Sequence, residues 1–344
     1  MDSITQIALG AAVGEATLGR RIGNRAVLWG GICGLFPDLD LFVPIGDAVK
    51  SFTYHRSFSH SLFVLALLTP IFVRLIMKVH PNTRQYRNRW YALVFIAFVT
   101  HVLLDCLTVY GTQIFWPMPT PPIMWSSIFI IDPAYSLPLF AGVLAALMLS
   151  RKATFGHRFN GVCLALSTIY LLWGVGAKLH VEQVARTSLK QQGIGYHKLL
   201  TVPSPFNTLL WRVLIMDDTG YAESYYSLFD PSPDLKVTHF PSQRHLLEGL
   251  DNHWPVKRLR WFTHGFYSVG RRSDDIVITD LRMGAEPNFV FRFKVARVGN
   301  PHAQPTESER VISERSWTML YVITWTWQRI WSPNPDVGAS HALE

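Results

Sequence analysis

Five apolar stretches, each close to the length of a membrane-spanning helix, constrain this chain more than any other feature. About 20 residues of α-helix cross the roughly 30 Å hydrocarbon core of a bilayer. A sixth stretch, 4–18, is shorter and contains Gln6 and Glu15, so the sequence leaves open whether it spans or packs against the other helices. We therefore predict an α-helical polytopic membrane domain of five to six segments. The five stretches are 26–44, 61–79, 90–110, 124–149 and 159–178.

The residues after 178 follow a different pattern, which predicts a smaller soluble α+β domain. Short apolar runs alternate there with polar turns, and the turn 217–220 is typical of a β-hairpin. An aromatic-rich segment, 317–331, predicts a helix that rests on the membrane surface. We divide the chain into a transmembrane domain, 1–178, and a soluble domain, 179–344. The predicted strands are 209–216, 221–229, 258–269, 276–282 and 289–298.

Composition and charge exclude several classes of protein. Only 16% of the residues are charged, against about 25% in a typical soluble domain. The net charge is +8, but no basic stripe lies on a soluble segment, so we predict no nucleic-acid partner. The three cysteines lie in apolar stretches without a CxxC pair, which argues against a disulfide framework.

The distribution of Lys and Arg between the apolar stretches predicts the orientation of the chain. We count as the first connection the one between the short stretch 4–18 and stretch 26–44. The first, third and fifth connections then carry three, five and three of these residues, whereas the second and fourth carry two and none. By the positive-inside rule, the odd-numbered connections are cytoplasmic. The second and fourth connections and the soluble domain then face outward, which is the periplasm for a bacterial inner membrane.

Ionisable residues occur at three places where a membrane segment should be apolar. Burying such a group in a bilayer costs a few kcal/mol, so each is a functional candidate. His101 and Asp105 are four residues apart and share one helix face, and Pro37 indicates a bend beside the aspartates. The predicted orientation brings all these residues to the outer side of the membrane. The candidate metal ligands are Asp38, Asp40, His55, His60, His101 and Asp105.

Three histidines and three aspartates without a neighbouring cysteine predict a divalent metal site, with one or two ions of Zn or Mn. A metal there would lower the pKa of water and polarise a phosphoryl or acyl oxygen. We predict catalytic roles for Arg56, which would bind an anionic substrate group, and for Asp40, which would accept a proton. The alternatives are hydrogen bonds between helices for His60 and His101, and an interfacial surface position for His55. For the aspartates the alternative is helix capping or pairing with Arg56.

In these residues the chain resembles the membrane-bound, metal-dependent hydrolases of the YdjM type, also described as LexA-binding, inner membrane-associated hydrolases. The resemblance implies a multi-pass protein of the bacterial inner membrane, and it is the only reason to expect a LexA-type partner. Many relatives have a histidine where this chain has Gln6. The matching segments are Met1-Asp2-Ser3-Ile4-Thr5-Gln6, Gly10-Ala11-Ala12-Val13-Gly14-Glu15, Pro37-Asp38-Leu39-Asp40, His55-Arg56-Ser57-Phe58-Ser59-His60-Ser61 and His101-Val102-Leu103-Leu104-Asp105.

These patterns together predict a metal-dependent hydrolase that cleaves a membrane-associated phosphoester, ester or lipid-like substrate through metal-activated water. The expected partners are membrane lipid and a small or lipid-like substrate. Two other classes use the same residues: a metal or solute transporter, and a membrane scaffold or regulatory protein. A transporter would need polar groups across the whole membrane, but the inner halves of the stretches are apolar apart from Glu15.

Overall fold

The structure is a computed structural model, and it describes residues 1–149, 154–299, 303–312 and 318–333. The chain forms two compact units. The first contains Met1–Val43, His55–Trp125 and Ile130–Gly174, and the second contains Pro44–Tyr54, Ser126–Phe129 and Val175–Glu344. Two short connecting segments that precede residue 178 therefore belong to the second unit.

Each helix belongs to one of the two units, except α8, which runs through both. The second unit contains α4, α9, α10 and the last part of α8, while the other helices lie in the first unit. The helices are α1 Ser3–Gly14, α2 Arg20–Ile22, α3 Asn24–Leu35, α4 Ala48–Tyr54, α5 Leu62–Val79, α6 Arg87–Cys106, α7 Pro133–Leu149, α8 Phe155–Gln191, α9 Trp254–Phe262 and α10 Met319–Trp331.

Among the described residues, three helices are long and apolar enough to cross a membrane: Leu62–Val79, Pro81–Cys106 and Phe155–Gln191. Helix α7 is apolar but has 17 residues. The predicted stretch 26–44 is interrupted, because α3 ends at Leu35 and a 3₁₀ helix, Phe36–Phe42, follows. The fold is thus a helical N-terminal region with three candidate spans followed by β-sheets, and the number of five to six segments stays a prediction.

Helices α1 and α3 pack with their backbones in direct contact. A Cβ atom at Gly10 would lie 2.2 Å from the carbonyl oxygen of Gly30, and one at Gly34 would lie 2.4 Å from that of Gln6. Small residues four apart allow such an approach, which larger side chains would prevent. This contact holds the first turns of α1 beside the end of α3, where the candidate aspartates follow.

The core of the first unit lies mainly between α3, α5 and α6. Leu65, Trp90 and Phe98 are fully buried there, and the Trp90 indole donates a hydrogen bond to the Thr83 hydroxyl. Other apolar side chains of the spans, including Leu67 and Leu172, are exposed. Apolar residues around the whole circumference are typical of a helix in lipid.

The second unit is built on two four-stranded antiparallel sheets and a two-stranded hairpin. The sheet orders are β1-β2-β3-β4 and β10-β9-β6-β5, and β7 pairs with β8. The strands are β1 Lys198–Pro203, β2 Leu210–Met216, β3 Gly220–Ser227, β4 Thr238–Pro241, β5 Tyr267–Arg272, β6 Asp275–Asp280, β7 Gly284–Ala285, β8 Asn288–Phe289, β9 Arg292–Arg297 and β10 Gln304–Arg310.

Most of the predicted strands are present, but one prediction was wrong for most of its segment. The segments 209–216, 221–229, 276–282 and 289–298 correspond to β2, β3, β6 and β8–β9. Segment 258–269 was predicted as a strand, whereas α9 extends to Phe262 and β5 begins only at Tyr267. Pro255 in the first turn of α9 favours the helix.

The last part of α8 covers one face of the first sheet. Its residues Ala177, Val181, Ala185 and Leu189 recur every four positions and pack against a group of buried sheet residues that includes Trp211. A spacing of four places all of them on one face of the helix. The second unit is therefore anchored to a helix that also contains a candidate membrane span.

Candidate metal centre

Two of the three candidate aspartates, Asp38 and Asp40, lie on the 3₁₀ helix that follows α3. Pro37 cannot donate a backbone hydrogen bond, and the helix changes its hydrogen-bonding pattern at this point. Asp38 and Asp40 are buried, whereas Leu41 and Phe42 are exposed. The carboxylates thus point inward and apolar side chains point outward, which reverses the usual arrangement in a water-soluble protein.

His101 and Asp105 occupy one face of α6, one turn apart, and both are fully buried. The Nδ1 atom of His101 lies 2.7 Å from the carbonyl oxygen of Gly34. A carbonyl oxygen only accepts, so Nδ1 carries the proton and Nε2 presents a lone pair. The backbone of α3 therefore fixes the orientation of His101, with Nε2 as the nitrogen that could bind a metal.

His60 has the same tautomer for a different reason. Its Nδ1 lies 2.9 Å from the Ser59 hydroxyl, and that hydroxyl donates to Asp40 Oδ2 over 2.6 Å. Because the hydroxyl proton is already used in the hydrogen bond to Asp40, the hydroxyl oxygen accepts a hydrogen bond from the N–H group at His60 Nδ1. The Nε2 lone pair of His60 then points towards His101 and Asp105.

The two Nε2 atoms and two carboxylates form a compact group, Asp38, His60, His101 and Asp105, whose ligand atoms all lie within 4.8 Å of one another. His60 Nε2 is 3.2 Å from His101 Nε2, 3.1 Å from Asp105 Oδ2 and 3.6 Å from Asp38 Oδ1. His101 Nε2 is 3.5 Å from each of the same two carboxylate oxygens.

These separations fit a small cation. Four ligands placed tetrahedrally at about 2.0–2.1 Å from an ion are roughly 3.3 Å apart. Two lone pairs on facing Nε2 atoms repel each other unless a proton or a cation lies between them. Asp105 Oδ2 is buried and has no hydrogen-bond donor within the described part of the chain. The four residues could therefore hold a metal ion.

Asp40 and His55, two of the predicted ligands, lie beside this group and are bonded to each other. His55 Nδ1 is 2.9 Å from Asp40 Oδ1, and the Arg56 backbone N–H donates to Asp40 Oδ2. Burial and the neighbouring Arg56 charge hold the pKa of His55 below its ordinary value of 6.5 despite the bond to Asp40, so the imidazole is neutral near pH 7. Asp40 thus organises the loop that carries His60.

Arg56 places a buried cation next to the group. Its Nε lies 3.3 Å from Asp105 Oδ2, its Nη1 donates to the Thr108 hydroxyl, and its guanidinium lies over the Tyr110 ring. The residue has a positive φ of 61°, a strained conformation for a side chain of this size. The surrounding bonds hold this conformation, so the cation stays directed at the cluster.

Three further residues contact this group. Ser3 and Met1 have no predicted role in it, whereas Gln6 stands where many relatives have a histidine. The Ser3 hydroxyl donates to Asp38 Oδ2 over 2.7 Å. The Gln6 side-chain amide donates to the His101 carbonyl oxygen and to Asp105 Oδ1, and the Met1 amino group also contacts Asp105. Gln6 Oε1 is buried and unpaired among the described residues. Neutral residues such as Ser3 and Gln6 carry no spacing signal, although both fall in the motif at the start of α1.

Two other acidic residues of the apolar segments have structural partners. Asp132 accepts hydrogen bonds from the Tyr170 hydroxyl and from the first turn of α7. Glu15 lies in a π-helical turn, Glu15–Gly19, and pairs with His157 over 3.3 Å. Neither belongs to the group of four.

Comparison with known proteins identifies the helical region as a family domain. A family model described as "YdjM inner membrane protein" matches residues 1–181. An uncharacterised protein of Bacillus subtilis (strain 168), YfhP, is 26% identical over 140 residues, which are 39% of this chain and 42% of the relative. The alignment thus covers less than half of that relative. No solved structure matches the chain significantly.

Proposed function

We propose that this chain, which belongs to the YdjM family of inner membrane proteins, is a metal-dependent hydrolase of a membrane-associated substrate. The observation that carries the proposal is the buried group of two imidazoles and two carboxylates within 4.8 Å of one another. Buried ionisable clusters in membrane helices are costly and are commonly retained for function. The family is one of inner membrane proteins, and the similar protein YfhP is described as uncharacterised.

The ligand set favours Zn²⁺, with Mn²⁺ as the alternative. Nitrogen and oxygen ligands in a four-coordinate arrangement are common for zinc, whereas a harder ion prefers more oxygen ligands. We favour one ion, because Asp40 and His55 are bonded to each other beside the group. The metal, when bound, would supply a Lewis acid and lower the pKa of water.

The protein's own residues would bind and orient the reactants. Arg56 would hold an anionic group such as a phosphoester, since its guanidinium already lies 3.3 Å from a carboxylate oxygen of the cluster. Asp40 would take the proton released from water, with His55 bonded to the other oxygen of its carboxylate. Asp40 also keeps the lone pair of His60 directed at the metal through Ser59.

A membrane-associated substrate is supported by the apolar surface next to the cluster. Leu39, Leu41 and Phe42 are exposed on the same 3₁₀ helix whose aspartates are buried. A lipid-like substrate could contact these side chains while its polar group reaches the carboxylates. The Lys and Arg distribution supports a multi-pass topology with this site towards the outside and the second unit in the periplasm.

Metal content of the detergent-purified protein tests the proposal first. We expect about one Zn or Mn per chain from the four-ligand group, with loss of the ion in His60→Ala and in His101→Ala. His157→Ala is a matched control, because His157 pairs with Glu15 away from the cluster. A folded wild type that binds no metal after reloading would remove the basis for the enzyme.

Activity is tested separately with phosphoester, ester and amide substrates presented in lipid micelles. We expect hydrolysis by the metal-loaded wild type and a large loss of turnover in Arg56→Lys, which keeps the charge but not the planar fork of donors. Arg56→Lys should retain its metal, since Arg56 is not in the ligand group. If metal-loaded protein hydrolyses none of these substrates, the site is a carrier or structural site.

A further inference from the structure

The apolar face of helix α10 is exposed, which is the reverse of the usual orientation of a helix on the surface of a soluble domain. Met319, Ile323, Trp327 and Trp331 are four residues apart along α10, and all are exposed. The opposite face contains Arg329, which is buried. In a helix on the surface of a soluble domain, the apolar stripe normally faces the core and the charged residues face water.

Polar contacts fix α10 in this inverted orientation. Arg329 donates to both carboxylate oxygens of Asp230 over 2.8 and 2.7 Å and to the carbonyl oxygen of Tyr225. The Ser227 hydroxyl donates to the carbonyl oxygen of Ile330. These bonds use the one formal charge of α10, so the exposed face is uncharged and cannot turn inward without breaking them.

The apolar face extends beyond the helix. The Phe229 ring stacks on Trp331 with centroids 4.8 Å apart, and Trp327 meets Trp331 edge to face. Phe229 is itself exposed. Tryptophan is enriched where protein crosses the boundary between lipid and water, because its ring is both apolar and able to donate a hydrogen bond.

The position of this face in the second unit points to what covers it. The apolar run of α8 ends at Lys178, and His180 lies one half-turn later, roughly 3 Å further along the helix axis. The His180 ring contacts Tyr226, with centroids 6.4 Å apart. Tyr226 adjoins Ser227, which binds Ile330 of α10. The C-terminal turn of α10 therefore lies at the level where α8 leaves the membrane.

We propose that the exposed face of α10, together with Phe229, inserts into the interfacial layer of the bilayer that α8 crosses. The lipid surface is favoured over a protein partner because this face is continuous with the membrane exit of α8 in the same unit. An interfacial helix binds through its apolar face at the boundary of headgroups and acyl chains. The tether through α8 keeps the lipid surface at high effective concentration, so a short face suffices. This inference is independent of the metal centre.

Collision accessibility of spin labels in the full-length protein tests the inference. Ile323→Cys and Trp327→Cys are labelled separately with a nitroxide and reconstituted into vesicles of phosphatidylethanolamine and phosphatidylglycerol. The matched control is Asp218→Cys, in the turn between β2 and β3 at the opposite end of the sheet from Ser227. The native cysteines are buried, and unsubstituted protein treated with the same reagent gives the background.

We expect labels at 323 and 327 to collide several times more often with oxygen than with a water-soluble nickel chelate, and the label at 218 to show the reverse. Equal behaviour of all three positions would overturn the inference. Low accessibility to both reagents would overturn it too. Spectral broadening that disappears on dilution with unlabelled protein would then indicate a second copy, and its absence would indicate another segment of this chain. Leu320→Cys, also exposed on α10, replaces either variant that fails to purify.

Discussion

Replacing Gly34 with alanine should loosen the metal centre, although Gly34 has no side chain that could bind a metal. The new Cβ would lie 2.4 Å from the Gln6 carbonyl oxygen and 3.2 Å from the Gly10 Cα atom. Both neighbours are backbone atoms, so relief requires that α1 and α3 move apart by close to 1 Å. Overpacking of this kind costs about 1–3 kcal/mol.

The displacement would act directly on the ligands. The Gly34 carbonyl oxygen accepts a hydrogen bond from His101 Nδ1. Helix α1 carries Ser3 and Gln6, which donate hydrogen bonds to Asp38 and Asp105, respectively. Loss of such supporting hydrogen bonds typically weakens metal binding about 10–100-fold. We therefore expect Gly34→Ala to lower both the unfolding temperature in detergent and the affinity for Zn²⁺.

Gly31→Ala in the same helix is the matched control. Its Cβ would lie 3.3 Å from the Cγ2 methyl of Ile7, which needs to shift by only a few tenths of an ångström, and 3.6 Å or more from other atoms. Alanine favours a helix over glycine by about 1 kcal/mol, so this variant should be as stable as the wild type or more so. The assays are thermal unfolding in detergent and zinc titration against a competing chelator. If Gly34→Ala and Gly31→Ala behave alike, the backbone contact does not position the site.

Two further substitutions test other parts of the structure. Ser59→Ala removes the hydroxyl between His60 and Asp40 and should weaken zinc binding roughly 10–100-fold in the same titration, and an unchanged affinity would refute the tautomer argument. In the second unit, burial raises the pKa of Asp47, but the hydrogen bonds its carboxylate accepts from Ser308 and Lys50 lower it by more, to below its ordinary value of 3.8. A carboxylate whose pKa is lower in the folded than in the unfolded state stabilises the fold at pH values above its unfolded-state pKa. This stabilisation is lost as the pH falls through the folded-state pKa. Asp47→Asn should therefore lower the unfolding temperature at pH 7 and lower it by progressively less as the pH falls below 3.8. An equal loss at every pH would contradict the assignment.

The proximity of His101 and Asp105 could be predicted from the sequence. His101 and Asp105 are separated by one helical turn within an apolar stretch, and that spacing alone determines a shared face. The aspartates beside Pro37 were recognisable because a charge in an apolar stretch is costly unless it has a partner. Both inferences depend on local geometry and on the solvent.

Which of the six candidate residues form the compact group of four could not be predicted in the same way. Asp40 and His55 have the residue types of ligands, yet they bond to each other, because the loop that carries His60 turns back on the 3₁₀ helix. That turn depends on a positive φ at Arg56, which no sequence pattern marks for an arginine. Tertiary contacts rather than residue type therefore decide which groups face the cluster.

The error at α9 has a different origin, since two periodicities coexist in that segment. Leu259 and Trp261 alternate with arginines as in a strand, while Val256, Leu259 and Phe262 recur every three residues and are the buried side chains of the helix. Pro255 stands at the start of the segment and favours a helical first turn. The proline should have outweighed the alternation.

Burial in this protein follows the solvent more than the residue type, and two segments in different units show it. On the 3₁₀ helix after α3, carboxylates are buried while Leu41 and Phe42 are exposed. On α10, Arg329 is buried while Trp327 is exposed. Water would oppose both arrangements, because each exposes apolar area and buries a charge. A lipid environment removes the cost of the exposed apolar groups. The buried carboxylates accept hydrogen bonds from neighbouring residues such as Ser3 and Ser59, and Arg329 pairs with Asp230. A buried charge beside exposed apolar residues therefore marks the segments of this chain that lie against the bilayer, and a polar substitution of Phe42 or Trp327 should weaken the association with lipid rather than the fold.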